Sequence, residues 1–532
     1  MSTAAPTIEP EVWKPKYNPW LIAAVVALAA FMEVLDTSIA NVALPYIAGS
    51  TGASNDQSTW VLTSYLVSNA IILPISGWLA GTLGRKRFFM TCLTIFTVSS
   101  LLCGIAPSLG LLLFFRVLQG AGGGGLQPMA QAILADTFPP EKRGLAFALY
   151  GITAIMAPTI GPTLGGWITF NYSWRWIFFI NIPVGAATWL LVRRFVEDPP
   201  YLAKIKAAGV KLDYIGIALL ALGIGALQIL LDKGQEDDWF GSRFITTLVV
   251  ISVVCLISLV IWEWFQKAPI VDVRLFKSRN FASANLMIFM LGVMLFSSLV
   301  LMPQFLQTEL GYTSQLAGLA LSAGGLVLLF EMPLMGQLTT KIQARYLIAA
   351  GWLCLCMAMY YSTQRIDLLI SFKAATLLRI TQVIGLGFLF VPITLVAYVG
   401  MPPEKNNSVA GIVNFMRNIG SSVGTSMVTT IIARRSQFHQ FRLVQNARPD
   451  NPSFQNSMNG LKSLLLHSGV SGSGPDAEAG ALARIYEAVQ AQAATLAYVD
   501  VFMVLAVVGG IMFFLAFTLG KNEPGGGHVI AE

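Results

Sequence analysis

Fourteen apolar runs, each about as long as a bilayer is thick, govern what this chain can fold into. A helix needs about 20 apolar residues to cross the hydrocarbon core. Runs of that kind lie near 20–45, 58–80, 88–106, 110–135, 144–167, 175–195, 213–232, 244–265, 281–305, 315–338, 346–362, 373–399, 408–432 and 497–519. Lipid supplies no hydrogen-bond partners, so each run must satisfy its own backbone as a helix. The expected fold class is an all-α membrane protein. Of the 532 residues 11% are charged, against about 25% in soluble domains, so this chain cannot cover itself with a polar surface. Neither a basic stretch nor a small-residue cleavage site precedes the first run, which reads as a retained helix and not a signal peptide.

An even number of spans puts both termini on one side, and the positive-inside rule chooses the side. With the N-terminus in the cytoplasm, cytoplasmic segments hold 20 Lys and Arg residues. The short outer loops hold five: Arg175, Lys233, Arg243, Arg365 and Lys373. A long outer segment at 433–496 holds six more, and Arg116, Arg379 and Arg417 lie within spans. The net charge of +7 is therefore a topology signal, and nucleic acid is not an expected partner. Cys92, Cys103, Cys255, Cys354 and Cys356 all sit in apolar runs and read as small buried hydrophobes.

Three catalytic patterns are set aside. Gly120, Gly122 and Gly125 fit a dinucleotide-binding spacing but lie inside a span and not after a strand. Gly420, Ser422 and Gly424 fit a nucleophile elbow, yet His439, His467 and His528 all fall outside the spans, so no base reaches Ser422. Both glycine sets read better as small-residue contacts between helices. No G-x-x-x-x-G-K-[ST] occurs, so ATP is not hydrolysed on this chain. The chain is expected to be no enzyme and to hold no metal or organic cofactor.

A duplication is visible. FRVLQGAGGGGLQP (115–128) matches LRITQVIGLGFLFVP (378–392) at an offset of 263, pairing Arg116 with Arg379, Gln119 with Gln382, Gly122 with Gly385 and Gly124 with Gly387. The loops FPPEKRG (138–144) and MPPEKNN (401–407) continue in the same register. The matched spans are the fourth and twelfth, so two helices at 213–265 were inserted between six-helix halves. The expected organisation is a tail 1–19, a bundle 20–196, the inserted pair, a bundle 281–519 containing the outer loop 433–496, and a tail 520–532. Transporters built from repeats place the transport path between them.

Charges at mid-bilayer cost about 2.5–3.5 kcal/mol on insertion scales and usually face an interior path. Glu33, Asp36 and Glu331 are such candidates, balanced by Arg116, Arg379 and Arg417. Glu33 and Asp36 are three apart on one helix face and are expected to titrate as a coupled pair that exchanges a proton.

These stretches carry a resemblance. LDTSIANVALP (35–45) closely resembles the first-helix motif of the fourteen-span drug:proton antiporters of the major facilitator superfamily, EmrB/QacA type. GWLAGTLGRKR (77–87) is similar to the superfamily's loop motif G-x-L-A-D-x-x-G-R-K-x, with Gly77, Gly84, Arg85 and Arg87 in place. RVLQGAGGGG (116–125) looks like the fourth-helix arginine motif, and GITAIMAPTIGPTLGG (151–166) like the fifth-helix antiporter motif. SWRWIFFINIP (173–183) and QAATLAYVDVF (492–502) are similar to the EmrB branch.

The resemblance implies a major facilitator fold and proton-driven efflux of hydrophobic or amphipathic compounds from a bacterial inner membrane, with both termini cytoplasmic. No cofactor beyond the proton gradient is implied. Asp36, Glu33, Arg116 and Glu331 would couple protons, and Asn41, Gln119 and Arg417 would line the substrate path. A periplasmic membrane-fusion adaptor (EmrA-like), and through it an outer-membrane channel, would dock at 433–496, where a short helical piece and a helix leading into the last span are expected. Within the class, a dedicated exporter of one metabolite or toxin is the alternative; outside it, a non-transporting receptor or scaffold.

Two details qualify the match. The loop motif's acidic residue is Gly81 here, so a charge contact that would help shut the cytoplasmic gate is expected to be missing. In the fifth span, Gly151, Ala154, Pro158, Pro162 and Gly166, with Ala157, Gly161 and Gly165, line adjacent faces with small or kinking residues. They predict a tight, dry, bendable seam against a partner helix. The offset of 263 places Ser421 opposite Pro158, so the second half lacks the motif. The inserted helices carry Asp213 and Asp232 near their ends, and the sequence does not choose between a contact role and a lipid-facing one.

Overall fold

Helix-capping side chains start many of the long elements. Asn18, Ser54, Ser108, Ser278, Thr313 and Ser371 each accept a hydrogen bond from a backbone N–H of the turn they open, and Ser54 with Gln57 forms a reciprocal capping box. The computed structural model describes residues 15–200, 213–467 and 474–520. Most of both expected tails, Lys14, Lys204, Lys206, Lys211 and Lys521, and residues 469–473 of GVSGSGP lie outside the described residues.

Every extended element among the described residues is helical. The first six spans comprise α1 (Pro19–Thr51), α2 (Asn55–Leu83), α3 (Arg85–Ile105), α4 (Leu109–Gly123) with α5 (Leu126–Thr137), α6 (Pro140–Asn171), and α7 (Trp176–Phe179) with α8 (Asn181–Phe195). The inserted pair is α9 (Tyr214–Lys233) and α10 (Arg243–Phe265). Then follow α11 (Arg279–Thr308), α12 (Ser314–Leu338), α13 (Ala344–Arg365), α14 (Phe372–Tyr398), α15 (Asn406–Val444), α16 (Pro452–His467) and α17 (Gly474–Leu515). Thirteen helical stretches among the described residues are long and apolar enough to cross a bilayer. The expected span 408–432 lies within α15, which is long enough but too polar to qualify by composition, because it buries Asn406, Asn407, Asn414 and Arg417. A count of fourteen is compatible with this.

Early and late spans meet along two lines. On one, α2 packs on α15; on the other, α6 packs on α12. The inserted helix α9 lies against both α2 and α15, where Gln228 donates to Ser422 at 2.8 Å and Thr63 donates to Asp232. Its partner α10 shows most of its apolar surface outward. The pair therefore takes both roles, one helix each. The segment 433–496 is largely helical: α15 runs on to Val444, and α16 packs on the start of α17 through Leu465, Ala477 and Ala481. The expected short piece and the helix leading into the last span are both present.

The fifth span, α6, is one unbroken helix through Pro158 and Pro162. Pro162 has no N–H to give the Pro158 carbonyl one turn back. Ser38 of α1 supplies the missing donor, its hydroxyl bonding the Pro158 oxygen at 3.2 Å. A Cβ on Gly161 would collide with Ser38, and one on Gly165 would come to 3.0 Å from Ile39. Gly151 is equally tight, its Cβ position lying 2.8 Å from the Phe390 ring. Pro162 and Gly166 do not share this closeness: both are half-exposed, and a Cβ on Gly166 would find only Val42 at 3.9 Å. Close packing also recurs in the second half, where a Cβ on Gly424 of α15 would lie 2.6 Å from the Val293 carbonyl of α11. What sets α6 apart is that two prolines lie inside it, where the other long helices have one or none. Gly161→Val should cost roughly 1–3 kcal/mol through overpacking, and Gly166→Ala should stay within about 0.5 kcal/mol. Thermal unfolding in detergent compares them, and equal midpoints would contradict this account of the seam.

Candidate functional site

Asp36 sits inside the first six spans with every neighbour polar and close. Its Oδ2 lies 2.6 Å from Arg116 NH1 on α4, and its Oδ1 accepts from Gln119 Nε2 at 2.9 Å and Asn181 Nδ2 at 2.6 Å. Arg116 also donates to Gln119 Oε1 at 2.8 Å and, through Nε, to the Val61 carbonyl at 3.0 Å, with Tyr65 stacked 4.3 Å from its guanidinium carbon. Asn181 is held in turn by the Ser100 hydroxyl at 3.1 Å. Arg116 and Gln119 are three apart on one helix, so both reach the same carboxylate. All these polar side chains are buried. Removing one member of a buried ion pair strands the other charge, at about 3–5 kcal/mol.

Glu33, one turn earlier on α1, heads a second nest. Its carboxylate accepts from Tyr65 OH at 3.1 Å, Asn69 Nδ2 at 3.0 Å and Gln127 Nε2. Gln127 Oε1 then accepts from Tyr150 OH at 3.1 Å and from Arg417 of α15. Arg417 also donates to Asn414 Oδ1 at 2.6 Å, and Asn414 donates to Gln131 at 2.6 Å. Glu33 and Asp36 thus occupy separate nests with Tyr65 between them. The Glu33 nest crosses from the early spans to the late ones.

The other expected site residues are dispersed. Glu331 on α12 is buried over Gly387 of α14, and neither carboxylate oxygen has a hydrogen-bond partner, so it stands outside both nests. Among the described residues Arg379 bonds Ser298, Arg417 meets neutral groups, and of the three carboxylates only Asp36 forms an ion pair with one of the three balancing arginines, Arg116. Asn41 is exposed on α1 beyond Asp36, away from both nests. Along that helix face Val34, Thr37 and Ser38 are half-buried before Asn41, so the face opens toward the end of α1 opposite Arg85.

At the Arg85 end the halves are latched. Arg85 NH1 lies 2.5 Å from Asp136 Oδ2, and Arg85 Nε donates to Asn407 of α15 at 2.8 Å. Asn406 donates to the other Asp136 oxygen at 2.5 Å. A Cβ on Gly77 would lie 2.9 Å from the Asn407 backbone, and Gly84 turns with φ +89° beside Asp198. Arg87 is exposed. Gly81 itself offers no charge, but the motif's Arg85 meets another acid, Asp136 at the close of α5.

Asn181, Tyr65, Gln127, Tyr150 and Asp136 were not anticipated. The signal that marks several of them is a polar residue inside an apolar run, as in FFINIP around Asn181.

With this geometry in view, the profile of the Major Facilitator Superfamily matches residues 26–425. The chain belongs to that superfamily. Among curated relatives it is 41% identical to the Multidrug export protein EmrB of Haemophilus influenzae, over 82% of this chain and 86% of the relative. It is 39% identical to the Multidrug export protein EmrB of Escherichia coli strain K12, over 85% and 88%. It is 41% identical to the Fatty acid resistance protein FarB of Neisseria gonorrhoeae, over 79% and 82%. The solved proton:xylose symporter XylE superposes with a TM-score of 0.61 at 14% identity, covering 96% of this chain and 97% of that one; this shows the shared fold. Like its superfamily, this multi-pass membrane protein is a transporter type and not an enzyme.

Arg85→Ala and Asp136→Ala should each destabilise by about 3 kcal/mol, because the remaining charge stays buried. The double variant should cost less than the sum. A chemical-unfolding cycle of the three variants measures this, and additive costs would mean the two residues are not coupled.

Proposed function

We propose that this chain is a proton-driven exporter of hydrophobic and amphipathic compounds, working by alternating access. One observation carries the reading. A carboxylate and an arginine, Asp36 and Arg116, are sealed from solvent at the heart of a chain whose relatives are named multidrug export proteins. Such a buried charge pair has no packing advantage over apolar residues, and intramembrane ionisable groups mark proton or ion pathways.

In the proposed cycle a proton reaching the first bundle neutralises Asp36. The attraction to Arg116 weakens, while Gln119 and Asn181 still hold the neutral carboxyl. The Glu33–Gln127–Arg417 bridge carries the change to the late spans. The Arg85 latch then gives way, and the path opens at the other end. The balance of Lys and Arg over the loops supports placing the Arg85 end, and both termini, in the cytoplasm. Two six-helix bundles flanking an inserted pair suit rocking about α2–α15 and α6–α12. Substrate would lie between them, along a wall including Asn41. FarB's printed name favours a second, narrower reading, a dedicated exporter of amphipathic acids.

The inner membrane is the proposed location. Helix α16 and the first, polar part of α17 lie at the end opposite Arg85, which supports docking of a periplasmic adaptor leading to an outer-membrane channel.

Asp36→Asn should insert and fold yet lose export driven by a pH gradient in proteoliposomes, by at least tenfold. Normal gradient-driven flux through this variant would refute the coupling role. Replacing 445–473 with a short Gly/Ser linker should leave vesicle transport near normal and remove resistance in cells with two membranes. Lost vesicle transport at normal expression would place these helices in the transport cycle instead, and full cellular resistance would show that they dock nothing.

A further inference from the structure

Near the Arg85 end α2 and α15 touch directly: a Cβ on Gly77 would lie 2.9 Å from the Asn407 backbone, and one on Gly411 would lie 3.1 Å from the Leu73 carbonyl. Towards the other end the inserted hairpin ties the same two helices together, bonding α15 and α2 by turns. Gln228 of α9 donates to Ser422 of α15 at 2.8 Å. One turn on, Asp232 accepts from Thr63 of α2. Lys233 donates to the Thr59 hydroxyl, to the Asp56 carbonyl at 3.4 Å and to Glu236 at 2.5 Å. Beyond the helix end the Trp239 indole donates to Thr430 of α15 at 3.2 Å. Deeper in the seam, Leu220 and Ile224 of α9 pack in one cluster with Ala70 and Ile75 of α2 and Ile419 of α15.

The tip of the hairpin is built to hold Trp239. Asp238 and Trp239 have φ of 56° and 44°, and among the described residues no other non-glycine residue has a positive φ. Side chains stay in that region only when their surroundings over-determine them. The indole is fixed by Gln235 at 3.2 Å as well as by Thr430, and its ring lies 2.8 Å from where a Cβ on Gly234 would stand. Lys233 is buried, and an ammonium at that depth needs its acceptors, two of which belong to α2.

We propose that the inserted hairpin is a strap joined in series between the two bundles, and that it holds the arrangement in which the Arg85 end is shut. This rests on the alternating-access reading and gives the inserted pair a part in it. α2 belongs to the early bundle and α15 to the late one, on opposite sides of a seam about which the bundles would rock. A single helix cannot follow both, so a change in their spacing at the end opposite Arg85 pulls the hairpin off one of them. A pair that only filled lipid would need apolar contacts alone.

The test uses the full chain in nanodiscs, carrying Cys255→Ala, Cys354→Ala and Cys356→Ala; Cys92 and Cys103 are buried. Nitroxide pairs on Arg87→Cys with Glu404→Cys and on Gly110→Cys with Leu369→Cys, all exposed positions, report bundle spacing at the two ends by pulsed electron resonance. Wild type should give a short and a long distance at each end, and their ratio is the readout. Thr59→Val with Thr63→Val cuts the strap at α2, and Ser422→Ala with Thr430→Val cuts it at α15. Each pair should lower the ratio of Arg85-shut to Arg85-open by about fivefold or more, the worth of one neutral hydrogen bond. Trp239→Phe removes the donor to Thr430 and should shift the ratio the same way. Either cut releases a series link, so all four changes together should shift it little further than one pair, where independent contacts would add. Thr246→Val, at an exposed site on α10 whose hydroxyl bonds its own helix, should leave the ratio at the wild-type value. The proposal is overturned if either pair leaves the ratio unchanged, if the two pairs shift it in opposite directions, or if their effects add in full. Amide exchange in the turn 234–242, followed on the same variants, should rise with either cut. One fixed distance at each end of wild type would sink the alternating-access reading. Faster exchange with either cut would then leave the strap standing as a fixed clamp, and unchanged exchange would sink it too.

Discussion

The hydrocarbon core offers no partner to a polar group, and this structure is arranged around that one deficit. Most polar side chains that enter the membrane-spanning region find a counterpart, on another helix or on their own backbone. Asp36 finds three, from α4 and α8, and Arg116 is held by α1, α2 and its own helix. These meetings dictate the small residues around them. Gly120 and Gly123 of α4 lie where a Cβ would strike Tyr65, and a Cβ on Gly124 would come to 2.6 Å from the Asn69 carbonyl. The run GAGGGG is thus the clearance that lets α2 bring Tyr65 and Asn69 to the carboxylate of Glu33. Chemistry and packing are one requirement here, since widening the helix spacing by a methyl group would unmake the nest.

The same deficit explains how α6 tolerates two prolines. Each proline removes a donor from the helix ladder, and in lipid the freed carbonyl cannot turn to water. Ser38 answers one of them from α1. The approach that this bond needs is granted by Gly161 and Gly165 on the neighbouring turns. In the second half α15 approaches α11 as closely through Gly420 and Gly424 but keeps a full set of backbone donors. The two contacts share close spacing and differ in whether the helix carries interior prolines.

The fold was legible because its signal is coarse. Runs of apolar residues, loop charges and an offset repeat survive without any knowledge of partners, and they placed every long span, 408–432 within α15 included. That helix is the most polar of them because its asparagines and arginine face other protein and not lipid. Half of the site was legible too: a charge within an apolar run has few meanings, so Asp36 and Arg116 announce themselves. What the sequence concealed was pairing. Asp136 sits at the close of an apolar run, where a lone acid looks like a solvated helix end, and only the fold brings it to Arg85. Gln127 and Asn181 are neutral, so no insertion cost singles them out. Glu331 misled for the opposite reason, since its position in a span is as conspicuous as that of Asp36, while its surroundings hold no partner.

These contacts also bound the energetics of the proposed cycle. Moving a two-state equilibrium from 1:99 to 99:1 takes about 5.5 kcal/mol of differential stabilisation. The latch joining Arg85, Asp136, Asn406 and Asn407 and the bridge from Glu33 through Gln127 to Arg417 both join early spans to late ones. Opening the Arg85 end must break them together. The contacts that cross are two hydrogen bonds between a charged group and an amide, Arg85 to Asn407 and Asn406 to Asp136, each worth about 1.5–3 kcal/mol, so the latch alone accounts for much of the required difference. The bridge would make the closed arrangement nearly unbreakable unless something weakened it. Neutralising Asp36 beside Tyr65, which touches both nests, is a change of the right size in the right place. A carboxylate at this position can therefore set the population of states without ever contacting the latch.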